Sequence, residues 1–351
     1  MHSNREHREH RAAESGGVML NQYLGPLRPF LDDDAINEIC VNRPGEVWTA
    51  GRRGWERHGV ADLSFATCER LVTLIAGFNG KALKERPLLS ASLPSGERVQ
   101  AIIPPGCETG TVSITVRKPS KVTFTLDELT ARGLFAEVVR RDEGVQGFES
   151  ELLALLKKAQ DSGDQALFMR FLNEAVRLHR NIVIAGPTNS GKTTLTNALI
   201  TSIEPAERII TLEDVRELQL PHHPNRVHLL YSREASETNK MLLPKDALAS
   251  CLRMTPDRIL LAELRGDESW EYVKAVNTGH PGSITSMHAN GALEAFEQLT
   301  AFIKDSPTGA HLPADYIMRR LFATIDIVVF MSLRKVREIY YNPQRKDEAS
   351  R

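Results

Sequence analysis

The stretch Gly186-Pro187-Thr188-Asn189-Ser190-Gly191-Lys192-Thr193 constrains this chain more than any other. It fits G-x-x-x-x-G-K-[ST] and lies between an apolar run at 181–185 and a helix-like segment at 193–200, the setting in which that spacing has a physical meaning. Gly186 and Gly191 let the backbone curl, so that successive N–H groups and the start of a helix face one anion. Lys192 then sets a point charge on the outer phosphates of a nucleotide, and Thr193 offers its hydroxyl to Mg2+. Pro187, Thr188, Asn189, Ser190 and the following Thr194 complete the phosphate-binding set. Such a loop joins a strand to a helix, which predicts an α/β domain.

The rest of the second half repeats that grammar. Ile209 to Leu212, Val227 to Leu230, Ile259 to Leu261, Ile284 to Met287 and Ile325 to Phe330 are short apolar runs separated by helical segments, the pattern of a largely parallel sheet. The run Ile259-Leu260-Leu261-Ala262 ends on Glu263, as a Walker B strand would, and Ile209–Leu212 delivers Glu213 and Asp214, with Arg216 and Glu217 behind. Carboxylates at the carboxyl ends of neighbouring parallel strands lie where an open α/β sheet binds ligand, and they form a metal- and water-orienting set. Thr193 and Glu263 are the expected metal ligands. His280 sits in a Gly/Pro turn and His288 just beyond the run 284–287, whereas His222, His223 and His228 read as solvated.

Residues 18–120 read as a smaller α+β domain. Apolar positions from Leu20 to Leu31 recur at helical spacing, cut short by Pro26 and Pro29. Ile36, Ile39, Val41, Val47 and Trp48 belong to short strands parted by Pro44-Gly45 and Gly51; 65–78 is helical, and 99–103 with 112–116 alternate as a strand pair. Residues 1–17 are polar and predict a disordered leader, 121–160 a helical linker, and 161–351 the α/β domain. Lys and Arg number 44 against 45 Asp and Glu, a net charge of -1, so no strong nucleic-acid binding is expected. The apolar stretch 321–333 is broken by Asp326 and falls short of the roughly 20 residues of a membrane span. The N-terminus lacks the apolar centre of a secretory signal, so a cytoplasmic protein is expected. Cys40, Cys68, Cys107 and Cys251 have no C-x-x-C spacing and read as reduced, buried thiols.

Four ordered motifs now stand together: the loop 186–193, an acidic box 211–217, a Walker B within 254–266 and a His box 278–290. In this the chain resembles, from about Leu24 to Tyr341, the hexameric secretion ATPases, or traffic ATPases, of the type II and type IV secretion superfamily. The stretches 93–105 and 113–119 are similar to the N-terminal domain of the type IV secretion and conjugation branch. The resemblance implies a RecA-like P-loop ATPase domain behind a smaller N-terminal domain, in a homo-oligomeric ring of six. It implies ATP and Mg2+, inner-membrane components of a secretion machine as partners, and a peripheral place at that membrane. Work on type IV secretion, on conjugative DNA or protein transfer and on pilus assembly follows, with pilus retraction or a type II-like role as the alternative. It also implies that Glu263 and Glu213 hold metal or polarise water, that His288 senses the γ-phosphate, and that Arg98 and Arg117 reach phosphates. Strand alternation puts Arg117 on the face of Ser113 and Thr115, where a guanidinium can look into a cleft.

Departures from the family pattern are few. The scattered cysteines cannot form the tetracysteine zinc element of pilus-assembly relatives, and Ala262 stands where Gly is usual before the Glu. A GTP switch would need N-K-x-D, but Asn239-Lys240 continues into Met241-Leu242. A nucleotide-regulated nucleic-acid module would need a basic stripe with interleaved aromatics, which is missing.

Overall fold

The computed structural model describes residues 17–83, 87–119, 123–136, 148–234, 241–266 and 268–350. Apart from Gly17, the expected leader lies outside the described residues, as do Asn239-Lys240, Asp267 and residues 137–147 of the expected linker. The chain divides into two compact units, one of residues up to Val122 with Asn225–Thr255, the other of Thr123–Pro224 with Pro256–Arg351. Among the described residues no helix is long and apolar enough to cross a membrane.

The first unit is built on a six-stranded sheet. Its spatial order is Gly54–Gly59, Glu46–Gly51, Ile36–Val41, Ser113–Arg117, Arg98–Ile102 and Leu88–Ser92, each neighbour antiparallel. The helix Phe65–Phe78 starts where the Ser64 side chain accepts the Thr67 N–H at 3.1 Å, the N-cap bond that a serine before an apolar period supplies. Its buried Cys68, Leu71, Val72 and Ile75 share one core with Ile39, Val41, Val99, Ile114 and Val116. Alternation along the strands sends Thr115 and Gln100 to the opposite face, yet both are buried. A later segment returns to this unit: Asn42 Nδ2 donates to Asn225 Oδ1 at 2.9 Å, and Cys107 bridges to Leu229. The run expected as a further strand around Val227–Leu230 is a strand, Arg226–Leu230, and the segment Asn225–Thr255 that contains it is grouped with this unit.

The second unit places the strand Ile182–Ala185 in the middle of a five-stranded sheet. Glu263–Leu264, Ile284–Met287, Ile182–Ala185 and Ile327–Ser332 run parallel, and Lys335–Tyr341 closes the edge antiparallel. Ile209–Glu213 pairs in parallel with Arg258–Leu261. Strands covered on both faces are apolar throughout, which is why Ile182-Val183-Ile184-Ala185 reads as an unbroken run and is wholly buried. The largely parallel α/β sheet expected from the spacing is present. The edge strand Lys335–Tyr341 escaped that expectation because its outward residues are charged, as edge strands tend to be.

Two histidines read as solvated are buried. His223 Nε2 lies 3.1 Å from the Ile203 carbonyl, and burial holds its pKa below the ordinary value, partly offset by that carbonyl. His228 is also enclosed. A Pro-flanked loop can fold inward when its polar groups find partners, and periodicity carries no sign of that. All of Cys40, Cys68, Cys107 and Cys251 are free and buried.

At the amino ends of the parallel strands, fully buried Arg258 grips Glu207 through Nε–Oε2 at 2.6 Å and Nη2–Oε1 at 3.0 Å, and donates Nη1 to the Gly282 carbonyl at 3.2 Å. Removing the acid would strand a guanidinium in the core. Glu207→Ala should therefore cost about 3–5 kcal/mol of unfolding free energy, read from the denaturant midpoint. A loss below about 1 kcal/mol would show that water reaches Arg258 once its partner has gone.

Candidate nucleotide site

The loop between Ile182–Ala185 and the helix Lys192–Ile200 has the backbone that its glycines foretell. Gly191, at φ +94°, is the helix N-cap and offers no side chain, so the first N–H groups of that helix have no side-chain cap. Gly186 sits at φ +155°, and a Cβ there would collide with the Met331 carbonyl and lie 2.8 Å from Ser190 Oγ. Asn189 also takes a left-handed conformation, at φ +61°. The Ser190 hydroxyl is buried and has no hydrogen-bond partner among the described residues. Open helix N–H groups beside an orphan hydroxyl form a cradle shaped for an anion.

Lys192 is 9% exposed, and its Nζ donates to the carbonyls of Gly186 at 2.9 Å and Pro187 at 3.0 Å. Desolvation lowers its pKa, the nearby Glu263 carboxylate raises it, and the Arg265 guanidinium lowers it further. Among the described residues the ammonium makes no ion pair, so it is held in place by backbone oxygens with its charge available to a ligand.

His288, following the strand Ile284–Met287, joins this lysine to the Walker B element. Its Nδ1 lies 3.5 Å from Lys192 Nζ and its Nε2 3.1 Å from Glu263 Oε1. Glu263 also pairs with Arg265, whose Nη1 is 3.6 Å from Asp214 Oδ2. Lys192, His288, Glu263, Arg265 and Asp214 form one chain of charge and hydrogen-bond contacts, which brings all four motifs to the carboxyl ends of the strands. Thr193, exposed at the helix start, donates Oγ1 to Glu217 Oε2 at 3.2 Å. Pro187, Thr188 and Thr194 are exposed around the same loop.

Glu213 stands apart from the other acids. It is wholly buried, and its carboxylate accepts from Thr211 Oγ1 at 2.6 Å, from the backbone N–H of Glu217 and Leu218 at 2.7 Å each, and from Arg216 at 3.3 Å. Those bonds fold the segment that presents Glu217 to Thr193. Glu217 was visible in the acidic box but carried no role there, because only the fold brings it to the P-loop helix. Glu268 was also missed: its buried carboxylate accepts the N–H groups of Arg265 at 2.8 Å and Gly266 at 3.2 Å. An acid three residues beyond a loop start is the available signal. His280 lies elsewhere, its Nδ1 3.1 Å from the Pro256 carbonyl.

Arg98 and Arg117 belong to the first unit. They face one another across neighbouring strands, in register, and Arg117 Nε is 3.3 Å from Glu38 Oε1. Both are exposed. Among the described residues no group of three or more His, Cys, Asp or Glu is arranged to hold a metal ion. The donors present, one threonine hydroxyl and carboxylates beside a phosphate cradle, suit a Mg2+ that keeps water and phosphate ligands.

The chain matches the model of the type II/IV secretion system protein family over residues 21–329. It is 44% identical over 344 residues to the type IV secretion system protein VirB11 of Brucella suis biovar 1, covering 95% of this chain and 93% of the relative. It is 40% identical over 324 residues to the type IV secretion system protein PtlH of Bordetella pertussis, covering 92% and 93%. The crystal structure of the VirB11 ATPase from the Brucella suis type IV secretion system, in complex with sulphate, matches with a TM-score of 0.88 at 43% identity, covering 97% of this chain and 99% of that one. A parallel α/β unit that gathers four motifs at its strand ends, carried on a sequence this close to known members, belongs to the type II/IV secretion system protein family, and within it is similar to the type IV secretion ATPases.

Proposed function

We propose that the protein is a Mg2+-dependent ATPase that works as a ring of identical copies, six by resemblance. Its turnover would drive type IV secretion, including conjugative transfer of DNA or protein and pilus assembly, from the cytoplasmic side of the inner membrane and against components embedded there. The observation that carries this reading is the Lys192–His288–Glu263 chain beside a P-loop whose helix N–H groups and Ser190 hydroxyl await an anion. The relative crystallised with sulphate adds support, since sulphate has the shape and charge of a phosphate group.

In this reading the backbone of residues 186–191 and the Lys192 ammonium hold the phosphates. The Thr193 hydroxyl and Glu263 would hold Mg2+, which when bound would neutralise phosphate charge. Glu263 accepts a hydrogen bond from the attacking water and so orients it, and Arg265 steadies that carboxylate. His288 touches both Lys192 and Glu263, a place from which a change in ligand charge reaches both. Four accepted hydrogen bonds suit Glu213 to holding the acidic box in shape. Arg98 and Arg117 act as phosphate clamps. Phosphoryl transfer needs no covalent intermediate on the protein, because positioning and charge stabilisation do the catalysis.

Phosphate release by the full chain, with Mg2+ and with a chelator, tests the reading. Release is expected only with the metal, and light scattering with a non-hydrolysable ATP analogue should give a multiple of 39.2 kDa. Metal-independent release, or none, would overturn the enzyme assignment; a monomer under every nucleotide condition would overturn the ring.

A further inference from the structure

The hairpin from Ile327–Ser332 to Lys335–Tyr341 turns on two residues, Leu333 and Arg334, between the paired Ser332 and Lys335. Both are left-handed, at φ +51° and +60°. Two-residue turns of this hand ordinarily carry Asn-Gly, because a side chain in that conformation is strained. Here a leucine and an arginine hold the strained positions. Leu333 is 79% exposed, and exposed Arg334 makes no hydrogen bond or ion pair among the described residues.

This turn lies over the phosphate loop. Ile327–Ser332 pairs in parallel with the P-loop strand, Phe330 opposite Ala185, so the chain leaving one overhangs the loop leaving the other. A Cβ added to Gly191 would meet Met331 Cε at 3.4 Å, Arg334 Cα at 3.8 Å and Arg334 Cβ at 3.9 Å. The Met331 carbonyl is also the group that forbids a side chain at Gly186. A nucleotide gripped by its phosphates in the cradle leaves ribose and base outside it, and on this side the first groups available are an unpartnered guanidinium and a bare isobutyl. Those are the groups that hold an aromatic base by its face: the cation over the π-cloud and the apolar chain against the ring.

We infer that the Leu333–Arg334 turn is the base-side contact of the site, with Arg334 lying against the purine or its ribose. This rests on the nucleotide-binding reading above. Calorimetric titration of the full chain with ATP, ADP and tripolyphosphate tests it, because tripolyphosphate has the charge without the base. Arg334→Ala should weaken ATP and ADP by about fivefold or more and leave tripolyphosphate within about twofold. Arg334→Gly suits the left-handed backbone and should show the same loss, which separates lost contact from a disturbed turn; Arg334→Lys should recover part of it. Equal weakening of tripolyphosphate and ATP would make Arg334 a phosphate clamp and overturn the base contact. Unchanged ATP binding in both the Ala and Gly variants would overturn the inference alone, whereas wild-type protein that binds neither ATP nor tripolyphosphate would overturn the nucleotide reading beneath it.

Discussion

Lys192→Ala should abolish ATP turnover while leaving the fold in place. The ammonium rests on the Gly186 and Pro187 carbonyls and makes no ion pair among the described residues, so its removal takes away two hydrogen bonds at the edge of the loop and breaks no buried ion pair. Its charge, partly desolvated already, faces the place where negative charge gathers during phosphoryl transfer, and a preorganised cation in such a site is worth far more than one in water. Turnover should fall by well over tenfold, more than ~1.4 kcal/mol on the barrier, with the unfolding midpoint little changed. A variant that kept more than about a tenth of the parental rate would sink the assignment of the loop as a nucleotide site.

Glu263→Gln should bind ATP and hydrolyse it about a hundredfold more slowly or worse, a barrier increase of ~2.7 kcal/mol. The amide keeps the shape of the side chain and can still meet His288 Nε2, which lies 3.1 Å from Oε1 in the parent, but it loses the charge that pairs with Arg265 and holds metal or water. Equilibrium binding and single-turnover phosphate release separate the two effects. Glu213→Gln is the informative companion. That carboxylate is buried and bonded to the backbone of Glu217 and Leu218, so its loss should disturb the acidic box and lower stability together with rate. Normal hydrolysis by Glu263→Gln beside a stable, dead Glu213→Gln would move the water-orienting role to the acidic box.

What the sequence determined by itself is whatever depends on spacing along the chain. A G-x-x-x-x-G-K-T run between a strand and a helix permits one loop geometry, since only glycine tolerates the close approach at 186 and the left-handed cap at 191. Apolar runs ending on Glu213 and Glu263 announced buried parallel strands, because a strand covered on both faces has no polar alternation to lose. The tertiary structure alone decided what depends on pairing between distant segments. Asn225 meets Asn42, a partner far away along the chain. The contact of Glu217 with Thr193, the bridge of His288 between Lys192 and Glu263, and the Leu333–Arg334 turn against Gly191 each join residues that no helical or strand period connects. A period records which face of an element is buried; which other element covers that face is set by packing and strand order, and those are properties of the folded chain.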